Sequence, residues 1–521
     1  VNQAHYRFWP KGMPKQLHTP ATSLYTNLEL AATRWPDKPA VVYYDTVITY
    51  AQLKHEVDTM AAFLQQRCGI VRGDRVALYS QNCPQFVIAY YAILRADAAV
   101  LPINAMSTTA ELAHYLGDSG AKVAFTAREL YERIQPYVRP GCLTSLIVHA
   151  YRDYLRAETS LDVPEFVSAA SPAVSDAGVT IWGDAMAQAL APSTHTAGKD
   201  DLCMLPYTSG TTGLPKGCMH THGTVMSAIF ATQMWRGLTP ESVYLAVAPM
   251  FHLLGMQNGM HLPILTGGTL VMLPRWDRDA AAVLIDRYRV NVWAAPPAML
   301  VDFFSNPQIE RYDLSSLAVL YGGGAAMPEA VAGMLKDKFD ITYSEGYGLT
   351  ETASFLHGNP MNRPKRQCLG VPVFGVDSRI VDPETLLELP QGEVGELVTH
   401  APQVMNGYWQ NPEANAAMFM ELDGKRFLRT GDLSYVDEDG YFFMRDRLKR
   451  MINVSGYKVW PAETENVMYE HPAVHEACII AAKDAKRGET VKLLLVLKPG
   501  SVGKVSEEQI VVWCRRTDGR V

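Results

Sequence analysis

Basic charge is in deficit in this chain: 47 Lys and Arg stand against 54 Asp and Glu, a formal net charge of −7. That balance lacks the basic footprint expected of a nucleic-acid binder. Cysteine is sparse, at Cys68, Cys83, Cys142, Cys203, Cys218, Cys368, Cys478 and Cys514, and no two form a C-x-x-C pair. Neither a zinc site nor a disulfide framework is signalled, and the usage fits a reducing, cytoplasmic setting. No Gly-Lys is followed by Ser or Thr, which excludes a Walker A loop. Long apolar runs are missing as well. The best, Phe86 to Ile103, is broken by Arg95 and Asp97 and reads as a buried helix leading into a strand, so no membrane span is expected. Val1 to Lys15 has no apolar core of signal-peptide length. Repeats and low-complexity tracts are absent.

What is present is a large apolar inventory. With 521 residues and 48% hydrophobic content, the chain can build more than one core. Its first part alternates helices and strands. Thr49 can cap a helix carrying Leu53, Val57, Met60, Ala61 and Leu64 on one face. Strands are expected at Val76–Tyr79, Ala99–Ile103 and Lys122–Thr126, with a helix from Gln85 to about Ala96 and another starting at Thr109 and stopped by Gly117. Helix-length spacers between strands imply a parallel sheet with right-handed crossovers. Residues 151–200, rich in Ala, Ser and Pro, read as a connection. The alternation resumes with strands at Val243–Ala248, Thr269–Leu273, Val290–Ala295, Leu317–Tyr321 and Ile341–Tyr343. From about Val376 the texture becomes short β runs with Gly and Pro turns, as in a small barrel. After Lys449 a smaller α+β segment follows: Pro461 opens a helix, Val474–Ala482 pairs with Val491–Leu497, and Ser506 with Gln509 boxes the start of a last helix.

One stretch stands out: Tyr207-Thr208-Ser209-Gly210-Thr211-Thr212-Gly213-Leu214-Pro215-Lys216-Gly217. Glycines let backbone N–H groups turn toward an anion, hydroxyls add neutral donors, and Lys216 adds one full positive charge. The composition is that of a phosphate-holding loop; a flexible surface linker is the plainer alternative. Four further patterns follow in order. Pro249-Met250-Phe251-His252 ends a strand. Gly322-Gly323-Gly324-Ala325-Ala326 puts three costly glycines at a strand end, where something must approach the backbone. Tyr347-Gly348-Leu349-Thr350-Glu351 places a hydroxyl beside a carboxylate, and Arg429-Thr430-Gly431-Asp432 precedes the basic cluster Arg445, Arg447, Lys449 and Arg450. Each has a plain counterpart: a core histidine, a strand-to-helix turn, an ordinary Gly-Asp turn, a solvated basic run.

Taken together and in this order, these motifs resemble the signature of the adenylate-forming (AMP-binding) superfamily, which holds acyl-CoA synthetases, aryl-CoA ligases, adenylation domains and firefly-type luciferases. The resemblance covers essentially the whole chain. It implies an α/β fold: a large N-terminal domain (1–448) with parallel sheets plus a small β-barrel, in subdomains of about 1–190, 191–375 and 376–448, and a smaller mobile α+β C-terminal domain (449–521). It implies an acid–thiol ligase that uses ATP and Mg²⁺ to convert a carboxylic acid into an acyl-adenylate and passes the acyl group to coenzyme A. A fatty acid is the expected acid. An aryl acid, or a carrier protein as acceptor, is the alternative, and the family admits a homodimer.

The resemblance also assigns roles. Thr208, Ser209, Gly210, Thr211, Thr212, Gly213 and Lys216 would hold phosphates; His252 would position the carboxylate and then make way for the thiol. Gly323, Gly324, Ala325, Glu345, Gly346 and Tyr347 would face the nucleotide, with Tyr347 on adenine. Thr350 would bond the α-phosphate and Glu351 hold Mg²⁺, consistent with that ion's taste for one or two carboxylates plus phosphate oxygens. Asp432 would anchor the ribose and Arg447 lie near ribose or phosphate. Lys449 would be the hinge and Gly456, in Ser455-Gly456-Tyr457, would line the CoA tunnel. Met256, Gly259, Tyr321, Gly322 and Gly346 would border the acyl pocket, whose apolar and small residues suit an uncharged chain. Amino-acid-activating members usually carry Asp directly after the Phe, and Phe251-His252 departs from that. The family's Pro-Lys-x-x-x-Gly-Lys motif, which carries the adenylation lysine, has no counterpart before Val521, so the small domain is expected to be truncated. Thr464 stands where an aliphatic residue is expected.

Overall fold

The computed structural model describes residues 4–170, 176–188, 190–208, 214–324, 327–454, 457–469, 471–484 and 488–517. The chain divides into two compact units. The larger holds Phe8–Val376 and Ala401–Ala417, and the smaller holds Val1–Arg7, Asp377–His400 and Met418–Val521.

Two mainly parallel sheets build the larger unit. In the seven-stranded sheet, Arg75–Tyr79 lies between Ala99–Ile103 and Val123–Ala127, and Ser145–His149 follows in parallel register. In the nine-stranded sheet, Val243–Ala246 lies between Thr269–Met272 and Val292–Ala294, and Val319–Gly322 and Tyr343–Tyr347 continue outward. These strands are continuous apolar runs because helices cover both faces. One buried core, containing Tyr79, Phe86, Phe125, Val271, Trp293 and Leu320, runs through both sheets.

Local chemistry explains the element ends. Thr49 and Gln52 form a reciprocal capping box that starts Tyr50–Gln66, whose Leu53, Val57, Met60, Ala61 and Leu64 are fully buried. Pro84 occupies the first turn of Pro84–Arg95. The helix expected to stop at Gly117 runs on through Thr109–Ser119, and Gly120, at φ +65°, ends it in the left-handed conformation. The strand expected at Ile341–Tyr343 instead spans Tyr343–Tyr347, because Gly346 and Tyr347 pair antiparallel with Gly358 and His357. Tyr347 therefore ends a strand rather than following one.

In the smaller unit, the β-rich segment forms a five-stranded antiparallel sheet in which Lys425–Val436 pairs with Gly395–His400, Phe419–Leu422 and Phe442–Arg447. A four-stranded sheet follows, built on the antiparallel pair Val474–Asp484 and Gly488–Leu497, and Pro461–Tyr469 packs on it. Ser506 and Gln509 make the expected reciprocal bonds at the start of the last helix. No helix among the described residues is long and apolar enough to cross a membrane.

Candidate active site

The loop and its stem come first. Ser209, Gly210, Thr211, Thr212 and Gly213 lie outside the described residues, as do Ala325 and Gly456. The stem is defined. Tyr207 bridges Gly217, and the Thr208 N–H donates to the Lys216 carbonyl at 3.0 Å. A second segment locks the stem from outside: the Trp409 N–H donates to the Gly217 carbonyl (2.8 Å), and Met219 and Asn406 pair with Gly407 and Met219. Helix Thr109–Ser119 braces it further. Its His114 Nε2 meets the Pro215 carbonyl at 2.7 Å, its Asp118 carboxylate accepts from the Tyr207 hydroxyl, and the Asp118 carbonyl accepts from the Trp409 indole at 3.1 Å.

This bracing brings Lys216 and Glu351 to one aromatic ring. The Lys216 ammonium lies 4.8 Å from the centre of the Tyr408 ring, and the Tyr408 hydroxyl donates to Glu351 Oε1 at 2.7 Å. The Met405 N–H holds the Glu351 carbonyl at 2.8 Å. Burial first, and then the Glu351 charge, push the Tyr408 phenol far up, so it stays a donor. Tyr408 was missed by sequence reasoning, because its segment is nearly 200 residues from the loop it braces and carries no charge pattern. Among the described residues no cluster of three metal-ligating side chains exists. Glu351 is a lone carboxylate beside Thr350, a donor set that fits Mg²⁺ only together with phosphate oxygens.

Thr350–Thr352 form a 3₁₀ turn, and His220 Nε2 lies 2.7 Å from the Thr350 carbonyl. The turn then passes through Ala353 at φ +49° and Ser354 at φ +94°, conformations that non-glycine residues rarely adopt. A Cβ on Gly348 would stand 1.1 Å from the Ser354 carbonyl oxygen. The Thr350–Glu351 pair is thus held by a compressed, strained turn.

His252 caps Leu253–Met256, and its Nδ1 accepts the Leu254 N–H at 3.3 Å, which leaves the proton on Nε2. The ring reaches solvent, yet the surrounding protein desolvates it and lowers its pKa from 6.5. Asn82, buried and also missed by sequence reasoning, clamps the preceding loop: its amide donates to the Ala248 carbonyl (3.0 Å) and accepts the Met250 N–H (2.7 Å).

The Gly322–Gly324 run has a different explanation from the one expected. A Cβ at Gly322 would meet the Ala295 carbonyl at 2.1 Å, and one at Gly323 would meet the Gly346 carbonyl at 2.4 Å. What approaches these two glycines is the neighbouring chain, not open space for a ligand. Only Gly324, at φ +86°, faces space. Glu345 is buried, accepts the Met327 N–H at 2.9 Å and the Cys368 N–H at 3.4 Å, and has its pKa raised by burial.

The expected acyl-pocket residues lie around an irregular turn. Met256 and Gly259 are buried on it, and Tyr321 donates to Asn258 Oδ1 at 2.8 Å, with Asn258 bound in turn to the Leu254 carbonyl at 2.8 Å. Gln257–His261 is a π-type turn, a form often found at functional sites. Against Tyr321 sits Arg236, only 4% exposed, with its guanidinium 4.6 Å from the Tyr321 ring centre and 5.7 Å from that of Phe355. Nη1 donates to the Ser344 hydroxyl, while Nε and Nη2 have no hydrogen-bond partner among the described residues. Burial pushes its pKa down to about 10, so the group remains cationic at neutral pH.

In the smaller unit, Asp432 and Arg447 are register partners on adjacent strands and form an ion pair at 3.3 Å, with the Asp432 carboxylate nearly buried and Arg447 half exposed. Glu396, buried and unforeseen, shapes that turn: it accepts Arg429 Nε (3.0 Å) and Nη2 (2.6 Å) on one oxygen and the Gly431 N–H (3.2 Å) on the other. Lys449 is exposed within the 3₁₀ turn Leu448–Arg450.

The chain is similar to known proteins over most of its length. Residues 28–409 match the family described as AMP-binding enzyme, and residues 463–521 match the AMP-binding enzyme C-terminal domain. A long-chain-fatty-acid–CoA ligase of Bacillus subtilis is 32% identical over 519 residues, 97% of this chain and 91% of that protein. A feruloyl-CoA synthase of an Amycolatopsis species is 32% identical over 482 residues, 92% of this chain and 89% of that protein. The crystal structure of ATP-bound MatB from Rhodopseudomonas palustris matches with a TM-score of 0.82 at 26% identity, covering 96% of this chain and 93% of that one. On the span of these matches, the chain belongs to the AMP-binding enzyme family.

Proposed function

We propose that this protein is an ATP-dependent acid–thiol ligase. In the first step a carboxylate oxygen attacks the α-phosphorus of ATP, the bond to the bridging oxygen breaks, and pyrophosphate leaves with that electron pair. In the second, the thiolate of coenzyme A attacks the acyl carbon and AMP departs. The physical obstacle is that both first-step reactants are anions. The observation that carries the reading is the convergence of Lys216 and Glu351 on Tyr408, at the foot of a loop rich in backbone and hydroxyl donors. Lys216 supplies positive charge to the phosphates, and Glu351 is the carboxylate that would hold Mg²⁺. Bound there, the ion would neutralise charge developing on the phosphate oxygens.

The remaining roles rest on family likeness and local fit. The protonated Nε2 of His252 suits donation to the substrate carboxylate. Thr350 would bond the α-phosphate and Tyr347 would face adenine. Thr208 with the loop residues Ser209 to Gly213 would cradle phosphates, and Gly324 and Ala325 would border the nucleotide. Asp432, ion-paired with Arg447, would take the ribose hydroxyls. Lys449 would serve as the pivot, and Gly456 would give the thiol a path. Glu345 is assigned to holding backbone, since its oxygens already accept two N–H groups. The names of the relatives support both alkyl and aryl acids as substrates. The test is pyrophosphate release across a panel of acids, with and without coenzyme A. Release should require ATP, Mg²⁺ and acid together, with acyl-CoA formed only when the thiol is added. Release at an equal rate without acid would refute the assignment.

A further inference from the structure

Arg236 is a charged feature of the acyl-pocket wall that the ligase reading does not use. It ends helix His222–Arg236, and Gly237 at φ +64° turns the chain away. Its position at the helix C-terminus offsets part of its charge through the helix dipole. The rest is uncompensated. The groups that interact electrostatically with it are Tyr321 and Tyr343, both phenols with raised pKa values that are neutral at physiological pH. Of its three nitrogens, only Nη1 is bonded, to the neutral Ser344 hydroxyl. Stacking on Tyr321 and Phe355 is a weak recompense for stripping water from a guanidinium. A buried cation is ordinarily paired with a carboxylate. None contacts this one among the described residues.

Gly346 sets the unbonded edge of Arg236 against the acyl-pocket wall. A Cβ there would come 3.6 Å from Arg236 Nη2, 3.5 Å from the Phe355 ring and 3.3 Å from the His357 carbonyl, so only glycine lets the strand run this close to an unbonded N–H. Gly346 and Tyr321 are also the residues placed at the acyl pocket, and Tyr321 is tied through Asn258 to the helix that His252 caps.

Resting on the ligase assignment, we propose that the acid activated by this enzyme carries a second carboxylate, which Arg236 binds through Nε and Nη2 while the first carboxylate reacts. The fork geometry of a guanidinium suits two parallel bonds to one carboxylate. The choice of a charged group over a neutral carbonyl follows from what is missing, which is counter-charge as well as acceptors. The expectation of an uncharged chain came from the five pocket residues named above, and Arg236 sits outside every motif.

The test pairs acids of identical skeleton: alkanoic with α,ω-dioic acids over a range of chain lengths, and benzoic with the benzenedicarboxylic acids. Pyrophosphate release is measured with the full chain, ATP and Mg²⁺. The best diacid should exceed its matched monoacid by about a hundredfold in kcat/KM, the scale of leaving a buried charge unpaired. Arg236→Met should reverse that preference. Arg236→Lys, which keeps the charge without the fork, should retain part of it. Monoacids turned over as well as or better than every matched diacid by the unaltered enzyme would overturn the inference and leave the ligase assignment standing. Absence of acid-dependent release with any acid would take both down. The unaltered enzyme decides the matter alone if Arg236→Met does not fold, and an unchanged preference in a folded Arg236→Met would also refute the role.

Discussion

The two sheets of the larger unit share a parallel pattern and a common core, yet the glycines with least room for a Cβ gather around one of them. Around the seven-stranded sheet, Gly69, Gly73 and Gly141 have positive φ, and an added Cβ at any of them, or at Gly117, would meet nothing within 4 Å. These glycines serve backbone conformation in surface turns, or no visible purpose at Gly117. Around the nine-stranded sheet, a Cβ on Gly255, Gly322, Gly323, Gly348 or Gly358 would come within 2.7 Å of a carbonyl, a ring or another chain segment. Here glycine serves space. The site residues His252, Tyr347, Thr350 and Glu351 sit among these compressed segments, and no motif residue lies on the central strands of the other sheet. Compression fixes side-chain positions that a looser turn would let wander, which is what preorganised electrostatics requires.

The largest expected effect acts on both regions at once and asks whether they fail together. His149, at the end of a seven-sheet strand, and His220, His222 and His261 are buried, and burial holds their pKa values at about 3, 4, 3 and 3 against an ordinary 6.5. A folded-state pKa below the unfolded one means that, between those values, the unfolded chain binds protons that the native fold refuses. Stability is therefore full above about pH 6.5 and falls as pH drops toward about 4. Thermal midpoints measured across that range should decline steeply on the acid side. Titration near pH 5 should show uptake of about four protons per chain unfolded. A flat profile would mean these imidazoles are not buried neutral.

Gly348→Ala comes next and probes the compressed side alone. Moving the Ser354 carbonyl out of the way would undo the strained Ala353–Ser354 turn and displace Glu351. A loss of about 3 kcal/mol or more is expected from such overpacking, with AMP-forming activity lost in parallel. Native-like thermal stability and turnover in this variant would show that the turn relaxes freely.

This difference between the sheets also marks how far the sequence could be read. Parallel strands buried on both faces are runs of apolar residues, so Ala99–Ile103 was legible to the residue and most others slipped only at their ends, whereas Tyr343–Tyr347 shares a single residue with the strand expected there. The cap at Thr49 and the capping box at Ser506 were legible because their chemistry is local. Gly117 was misread as a stop because exposed glycines at a helix end look alike until φ distinguishes Gly120. The glycine- and hydroxyl-rich loop stood out by composition, and the Thr350–Glu351 pair by its place in the ordered set of motifs. Tyr408, Asn82, Glu396 and Arg236 did not. Each is a single polar residue whose partner lies far along the chain, and neither periodicity nor spacing records such a contact.

A smaller pair of effects separates charge that acts during reaction from charge that holds the ground state. Glu351→Gln should lower kcat by about a hundredfold with little change in KM for ATP, because the metal's charge matters most as pyrophosphate departs. Asp432→Ala should raise KM for ATP by about tenfold with a modest change in kcat, since ribose is held equally in both states. Steady-state kinetics in ATP resolve the two, and equal shifts in both constants for both variants would contradict these roles.

The smallest effect has the opposite sign from Gly348→Ala, and for that reason sharpens the contrast between the sheets. Gly117 lies in helix Thr109–Ser119 with open space where a Cβ would go, and its φ is not left-handed. An alanine there fits the helix and narrows the unfolded ensemble, a gain of about 0.5–1 kcal/mol. For a chain of this size that is a rise of about 0.5–1 °C in the thermal midpoint. The position is not remote from the candidate site, because His114 and Asp118 of the same helix brace the stem of the glycine-rich loop through Pro215, Tyr207 and Trp409. If the stem needs only a firm support, Gly117→Ala should leave kcat and KM unchanged while stability rises. If the helix must yield as the loop closes on phosphate, the same substitution should lower kcat while still raising the midpoint. A falling midpoint would instead mean that this glycine, like those of the other sheet, is there for space.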